Sequence, residues 1–153
     1  MELIIFMGLQ ASGKSTFYHL RFAATHAYVS KDLLHKHKGR RQGQMVEEAL
    51  QAGQSVVVDN TNPTPLDREQ LIRLGHEYDA EVIGYYFEAR VRESLERNRT
   101  RSGKARVPDV AIYVTAKKLV PPSYAEGFDT LYDVRIAENS SFEVRAWEKN
   151  EVR

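Results

Sequence analysis

"GLQASGKST", residues 8–16, follows directly on the apolar run "LIIFM" at residues 3–7. The stretch satisfies G-x-x-x-x-G-K-[ST], with a strand pattern before it and a helical pattern after it, which is the context this motif requires. Gly8 and Gly13 let the backbone turn tightly, so that amides at Ala11, Ser12 and Gly13 point inward at a phosphate, and the positive end of the following helix adds to that field. In such a cradle Lys14 reaches the β- and γ-phosphates, the Ser15 hydroxyl ligates Mg²⁺, and the Thr16 hydroxyl touches an outer phosphate. The motif gives nucleoside triphosphate binding. It leaves open what receives the phosphate.

Working outward from the cradle, five candidate strands fall at about 3–7, 27–30, 55–59, 81–88 and 131–137, several of them apolar runs without alternation. Such runs suit strands buried on both faces of a parallel sheet. Helical spacing joins Phe17, Leu20 and Ala24, then Met45, Val46, Ala49 and Leu50 before Gly53. A third helix carries Leu71, Leu74 and Tyr78 after Pro65, and a fourth carries Val91, Leu95 and Asn98. Alternating strands and helices with short connections predict an α/β fold: a central, mostly parallel five-stranded sheet with helices on both faces. The tail with alternating Phe142, Val144 and Ala146 reads either as an edge strand or as a frayed end.

Ligands of open α/β sheets bind beyond the carboxyl ends of the strands. That rule gathers residues 8–15, 30–32 and 59–62 into one cleft. "YVSKDLL" puts Asp32 at its mouth, where a carboxylate orients an acceptor hydroxyl and takes its proton, or where Ser30 or Asp32 caps a helix; the two roles are compatible. "SVVVDNTNPTP" puts Asp59 at the end of the third strand, in register with the cradle and suited to a place near Mg²⁺. Asn60 and Asn62 follow, with amides that either hold an acceptor or form a turn.

Two basic clusters stand out. "RNRTRSGKAR", residues 97–106, contains no acid and predicts an arginine-rich lid that closes over the triphosphate, because a guanidinium can donate two bonds to one phosphate. "HKHKGRR", residues 35–41, lies where an anionic acceptor would approach, though a solvated helix face explains it as well. Its histidines are not spaced as a metal site.

The composition bounds the rest. At 153 residues with 42% apolar and 28% charged residues, one P-loop domain over 1–153 is expected, and the net charge of +1 points to no partner. With no cysteine, disulfides, thiolate metal sites and cysteine nucleophiles are excluded. Apolar stretches are far shorter than the roughly 20 residues a membrane helix needs, so a cytoplasmic protein is expected.

Taken together, "GLQASGKST", "VSKD", "VVVDNTNP", "RNRTRSGKARVPDV" and "PPSYAEGFD", in that order, resemble the 5′-kinase domain of polynucleotide kinases, a branch of the P-loop phosphotransferases. The resemblance implies the P-loop kinase fold, with ATP and Mg²⁺ as cofactors and transfer of the γ-phosphate to the 5′-hydroxyl end of DNA or RNA. It implies Asp32 as general base, Lys14 and Arg101 as catalytic cations, and Arg97 and Arg101 on the nucleotide. Ser15 and Asp59 would serve the metal, and Asp32, His35, Asp59, Asn60 and Asn62 the acceptor. In this family the adenine tends to lie between the lid and the loop before the last strand, which suggests the neighbourhood of residues 121–128. Several microbial members carry Arg-Asp and then an arginine three residues on; here the positions are Lys31, Asp32 and His35. A histidine is mostly uncharged near pH 7 and clamps a phosphate less firmly. No D-x-D-G-T-like phosphatase segment occurs in these residues, so a separate phosphatase or ligase is the expected partner. A small-molecule kinase sharing the cradle and lid is the alternative, and a nucleotide-binding regulatory module a further one.

Overall fold

The computed structural model describes residues 1–149. In chain order the main elements are β1 (Glu2–Met7), α1 (Lys14–Arg21), β2 (Ala27–Val29), α2 (Lys38–Gln51), β3 (Val56–Asp59), α3 (Pro65–Glu77), β4 (Glu81–Phe87), α4 (Val91–Arg99), α5 (Asp109–Lys118), β5 (Thr130–Ile136) and β6 (Phe142–Ala146). One sheet runs in the order β2-β3-β1-β4-β5-β6, parallel except for β6, which pairs antiparallel with β5. The chain thus has the α/β architecture expected, with a sixth strand; the alternating tail forms the edge, and Phe142 is its half-buried residue.

β1 is central because both its faces are apolar. Leu3, Ile5 and Met7 pack with Val46 and Leu50 of α2 and with Leu71 and Ile72 of α3. Ile4 and Phe6 pack on the other side with Phe17 and Tyr18 of α1. Burying one such side chain stabilises by roughly 1.5–3 kcal/mol, so a strand buried on two faces is the hardest to replace. Alternation then decides where polar groups go. Val57 belongs to the α1 side and Asp59, two residues on, shares its face; Tyr28, paired with Val57 across β2 and β3, shares it too.

Two expectations need correction. α1 stops at Arg21, and Leu20 is 68% exposed, so its buried face is Phe17 and Tyr18 rather than a stripe running to Ala24. α5 was not foreseen, because its apolar residues Val110, Tyr113 and Val114 face solvent while only Ile112 and Thr115 are buried. By contrast α3 begins as its sequence dictates: Thr64 and Asp67 form a reciprocal capping box with Pro65 in the first turn.

Candidate active site

β1 ends at Met7, and the Gly8 amide donates to Thr61 O at 3.0 Å, tying the cradle to the loop after β3. A Cβ on Gly8 would meet Phe87 Cβ at 2.8 Å. At Gly13 φ is +94°, and a Cβ there would also press on Ile136 and Phe142, so both glycines of the motif have a steric reason. Ala11 has a positive φ of 57° as well. α1 opens after Gly13 with no side-chain cap on its first amides. Those amides and the helix dipole are the anion-binding feature.

Lys14 Nζ donates to Leu9 O at 2.6 Å and to Gly8 O at 3.2 Å. Burial pulls its pKa down from 10.5 to about 8; Asp59 opposes that shift, Arg101 adds to it and Asp32 opposes it. The three residues read separately from sequence therefore share one electrostatic site with the cradle lysine. Arg97 Nη1 donates to Ala11 O at 3.3 Å, which sets a second arginine on the loop. Thr16 is exposed beside them, and Ser12 is buried with no hydrogen-bond partner for its hydroxyl.

Ser15 Oγ donates to Asp59 Oδ2 at 2.9 Å, and the phenol of Tyr28 donates to the same oxygen at 2.6 Å. Burial and the bond to Asp59 raise the Tyr28 phenol well above its usual range, so it stays protonated and remains a donor. A serine hydroxyl that gives its proton to a carboxylate keeps its lone pairs for a cation, and hard oxygen donors of this kind suit Mg²⁺. Ser15 and Asp59 thus fit the metal that the motif calls for. Sequence reading missed Tyr28; its signal was a phenol one strand over from Asp59 on the same face of the sheet.

Asp32 lies exposed in a single 3-10 turn, Lys31–Leu33, capped by the Ser30 hydroxyl at 3.3 Å. His35 is exposed just beyond it. Asn60 and Asn62, read as acceptor contacts or turn formers, hold the framework. Asn60 Oδ1 accepts from the Lys31 amide at 2.9 Å and its Nδ2 donates to Gln42 of α2. Asn62, 4% exposed and with φ of 41°, donates to Phe6 O at 2.8 Å. Behind this loop Arg68 is fully buried, donating to Asn62 O and Pro63 O and paired with Glu126 at 3.1 Å.

That pair also gives a physical role to residues 121–128, suggested as the adenine neighbourhood. Ser123 and Glu126 form a capping box, Gly127 O accepts from the His76 ring at 2.7 Å, and Phe128 is in the core. Tyr124 donates to Trp147 O. These groups fasten α3 and the loop after β3 to the far strands.

The arginine segment leaves α4 at Arg99. Asn98, fully buried, donates to Val107 O at 2.7 Å and accepts from the Val107 amide at 3.0 Å, which staples the base of this segment, and the Arg101 amide donates to Asn98 O at 3.1 Å. Arg101 Nη1 reaches Ala105 O at 3.4 Å. The second basic cluster occupies the approach to α2 and its first turn. There His37, the N-cap, makes no side-chain capping bond, and the turn contains no acid.

A strand, a glycine loop closing on a lysine, a helix N-terminus and a serine–aspartate pair across a parallel sheet define a P-loop phosphotransferase of the kinase class. Residues 34–119, more than half of the chain, match the AAA domain model AAA_33, and the chain belongs to that family. The match begins beyond the cradle and Asp32, so those are read from their own motif and geometry. The chain is 28% identical, in an alignment 138 positions long that covers 87% of this chain, to the "Bifunctional polynucleotide phosphatase/kinase" of Schizosaccharomyces pombe. It is 32% identical, in an alignment 143 positions long that also covers 87% of this chain, to a protein of Acanthamoeba polyphaga mimivirus provisionally given the same name. It spans 33% of the length of each of these curated relatives. Among solved structures, a gluconokinase from Sinorhizobium meliloti 1021 superposes with a TM-score of 0.63 at 19% identity, over 90% of this chain and 83% of that one. No helix among the described residues is long and apolar enough to cross a membrane.

Proposed function

We propose that the chain transfers the γ-phosphate of ATP, with Mg²⁺, to the 5′-hydroxyl end of DNA or RNA. The observation that carries this reading is the pairing of an exposed carboxylate with a phosphate cradle at the edge of an unneutralised basic surface. Asp32 lies close enough to Lys14 to act on its proton affinity. Lys36, Lys38, Arg40 and Arg41 follow it, exposed and without an ion pair among the described residues. A polyanionic acceptor suits such a surface better than a neutral sugar does. The two curated relatives named as polynucleotide phosphatase/kinases support the same acceptor.

In this reading Asp32 takes the proton of the acceptor hydroxyl, that oxygen forms a bond to the γ-phosphorus, and the bond from phosphorus to the β–γ bridging oxygen breaks to leave ADP. Lys14, Arg97 and Arg101 hold the phosphates and offset the charge that develops on them. Ser15 and Asp59 would hold Mg²⁺, which would supply neutralisation of the phosphate charge. Asn60, Asn62 and Arg68 fix the loop that presents Asp59. His35, exposed past Asp32, stands where the terminal nucleotide would lie.

The second reading, a kinase for a small-molecule hydroxyl, draws on the fold shared with a gluconokinase. The deciding experiment follows labelled γ-phosphate from ATP to 5′-hydroxyl DNA and RNA oligonucleotides, with gluconate and nucleosides in parallel and Asp32→Ala as control. Label on an oligonucleotide, lost in the variant, is the expected result. Label on the small molecules alone would replace the acceptor, and ATP binding without any transfer would favour a regulatory module.

A further inference from the structure

We infer that Tyr28 determines which divalent cation the site accepts, by occupying the Asp59 oxygen that a cation demanding two carboxylate contacts would need. The inference rests on the proposed kinase reading, in which Ser15 and Asp59 serve the metal. Both side-chain donors described for Asp59 converge on Oδ2: Ser15 Oγ at 2.9 Å and the Tyr28 phenol at 2.6 Å. A carboxylate oxygen has about two lone-pair sites, so two donors fill Oδ2 and leave Oδ1 as the oxygen available to a cation or its waters.

The phenol is held where it is. Its ring packs on Tyr18 with centroids 4.5 Å apart and stacks on His19 at 6.3 Å, and β2 pairs with β3 at Tyr28 and Val57. The hydroxyl also lies 3.4 Å from Ser15 Oγ, so it borders both candidate metal-binding groups. Ser15 can keep its bond to Oδ2 while offering lone pairs to a cation, because its single proton and its lone pairs serve different partners. The Tyr28 oxygen is bordered by the Ser15 and Ser30 hydroxyls, and its single proton goes to Asp59. What it adds is a donor on an oxygen that is already bonded once.

Mg²⁺ is small, keeps several of its waters and takes one or two carboxylate contacts, whereas Ca²⁺ readily takes both oxygens of one carboxylate. A carboxylate restricted to one free oxygen therefore suits Mg²⁺ and penalises Ca²⁺. Tyr28→Phe removes the donor and keeps the ring, so Oδ2 becomes available for bidentate contact.

The test measures displacement of Mn²⁺ from the protein–ADP complex by Mg²⁺ and by Ca²⁺, followed by electron paramagnetic resonance, and needs no phosphate transfer. Y28F is expected to raise the ratio of Ca²⁺ to Mg²⁺ affinity about tenfold, the scale of one hydrogen bond to a charged group. In a D59N background the same substitution is expected to leave the ratio where it was. An unchanged ratio in Y28F, with or without a shifted melting temperature, overturns the role given to Tyr28 while leaving the metal site standing. A native protein that adds no Mn²⁺ signal beyond that of ADP alone overturns the metal reading and this inference with it.

Discussion

On the cradle side of the cleft Lys14 is buried and bonded to the carbonyls of Gly8 and Leu9, whereas at the mouth Asp32 stands exposed beside cations that have no ion pair among the described residues. On the proposed reading the cradle receives one fixed group, and its donors are oriented by backbone and held out of water, where they would act most strongly. On the same reading the mouth meets an acceptor that varies in position, and its exposed charges would steer rather than grip. The contrast is sharpest at the carboxylates: Asp59 is 5% exposed and accepts two bonds, while Asp32 lies in an open turn.

The largest expected effect separates these two sides. Asp32→Ala is expected to lower phosphate transfer by about 10²–10⁴-fold, the scale of general base catalysis, while ADP and ATP affinity stay within about twofold. Steady-state kinetics beside equilibrium nucleotide binding checks this. Equal loss of binding and transfer would mean that Asp32 belongs to the cradle and that the division drawn here fails.

Next is the support shared by both sides. Arg68→Ala leaves the Glu126 carboxylate without its buried partner and the carbonyls of Asn62 and Val120 without the guanidinium, while Pro63 O keeps the Val120 amide. Removing one member of a buried pair costs about 3–5 kcal/mol, so a loss of that size is expected in denaturant unfolding. A loss under about 1 kcal/mol, the scale of one ordinary hydrogen bond, would show that the loop after β3 is held without Arg68, by Asn60, Asn62 and the bond from the Gly8 amide to Thr61 O.

The fold was largely legible because its signals are local or periodic. The cradle motif, the buried runs of β1 and β3 and the cap of α3 each follow from a few consecutive residues. α5 escaped because its exposed Val110, Tyr113 and Val114 erase the apolar stripe that marks a helix. In the site, Lys14 follows from the cradle motif and Asp32 and Asp59 from their places at the ends of strands, Asp32 with a capping role left open. Arg101 is singled out from its basic segment by the resemblance alone; the structure adds that Asp32, Asp59 and Arg101 act on the charge of Lys14. Tyr28 and Arg68 could not be read in these ways, since the first acts across a strand pair and the second binds carbonyls and a carboxylate 58 residues away. Asn60 and Asn62 were ambiguous for a related reason: an amide that holds a loop and one that holds a ligand look alike until the partner is known.

A smaller effect probes the cradle through pH. The folded pKa of Lys14, about 8, lies below its ordinary value of 10.5, so the unfolded chain binds this proton more tightly. Stability contributed through Lys14 is therefore expected to rise by about 2–3 kcal/mol as pH climbs from about 8 toward 10.5, and to be flat below that window. Nucleotide binding has the opposite sign, because a phosphate favours the charged amine: affinity for ADP is expected to fall as pH rises through about 8. Titrations of native protein and Lys14→Met check both, and a Lys14→Met protein with the same two pH profiles would remove Lys14 as their source.

The smallest effect tests the mouth. Replacing Lys38 and Arg40 together by Gln removes two exposed charges that have no ion pair among the described residues, so the fold has little to lose. If an oligonucleotide backbone crosses this surface, its KM is expected to rise about fivefold at low salt, with the KM for ATP unchanged. The slope of log affinity against log salt would become shallower by about two, one for each phosphate no longer neutralised. A neutral acceptor would feel neither change. The salt slope is the more informative measurement, since a general loosening of the fold would weaken binding at every ionic strength alike, whereas neutralising fewer phosphates alters how binding depends on salt.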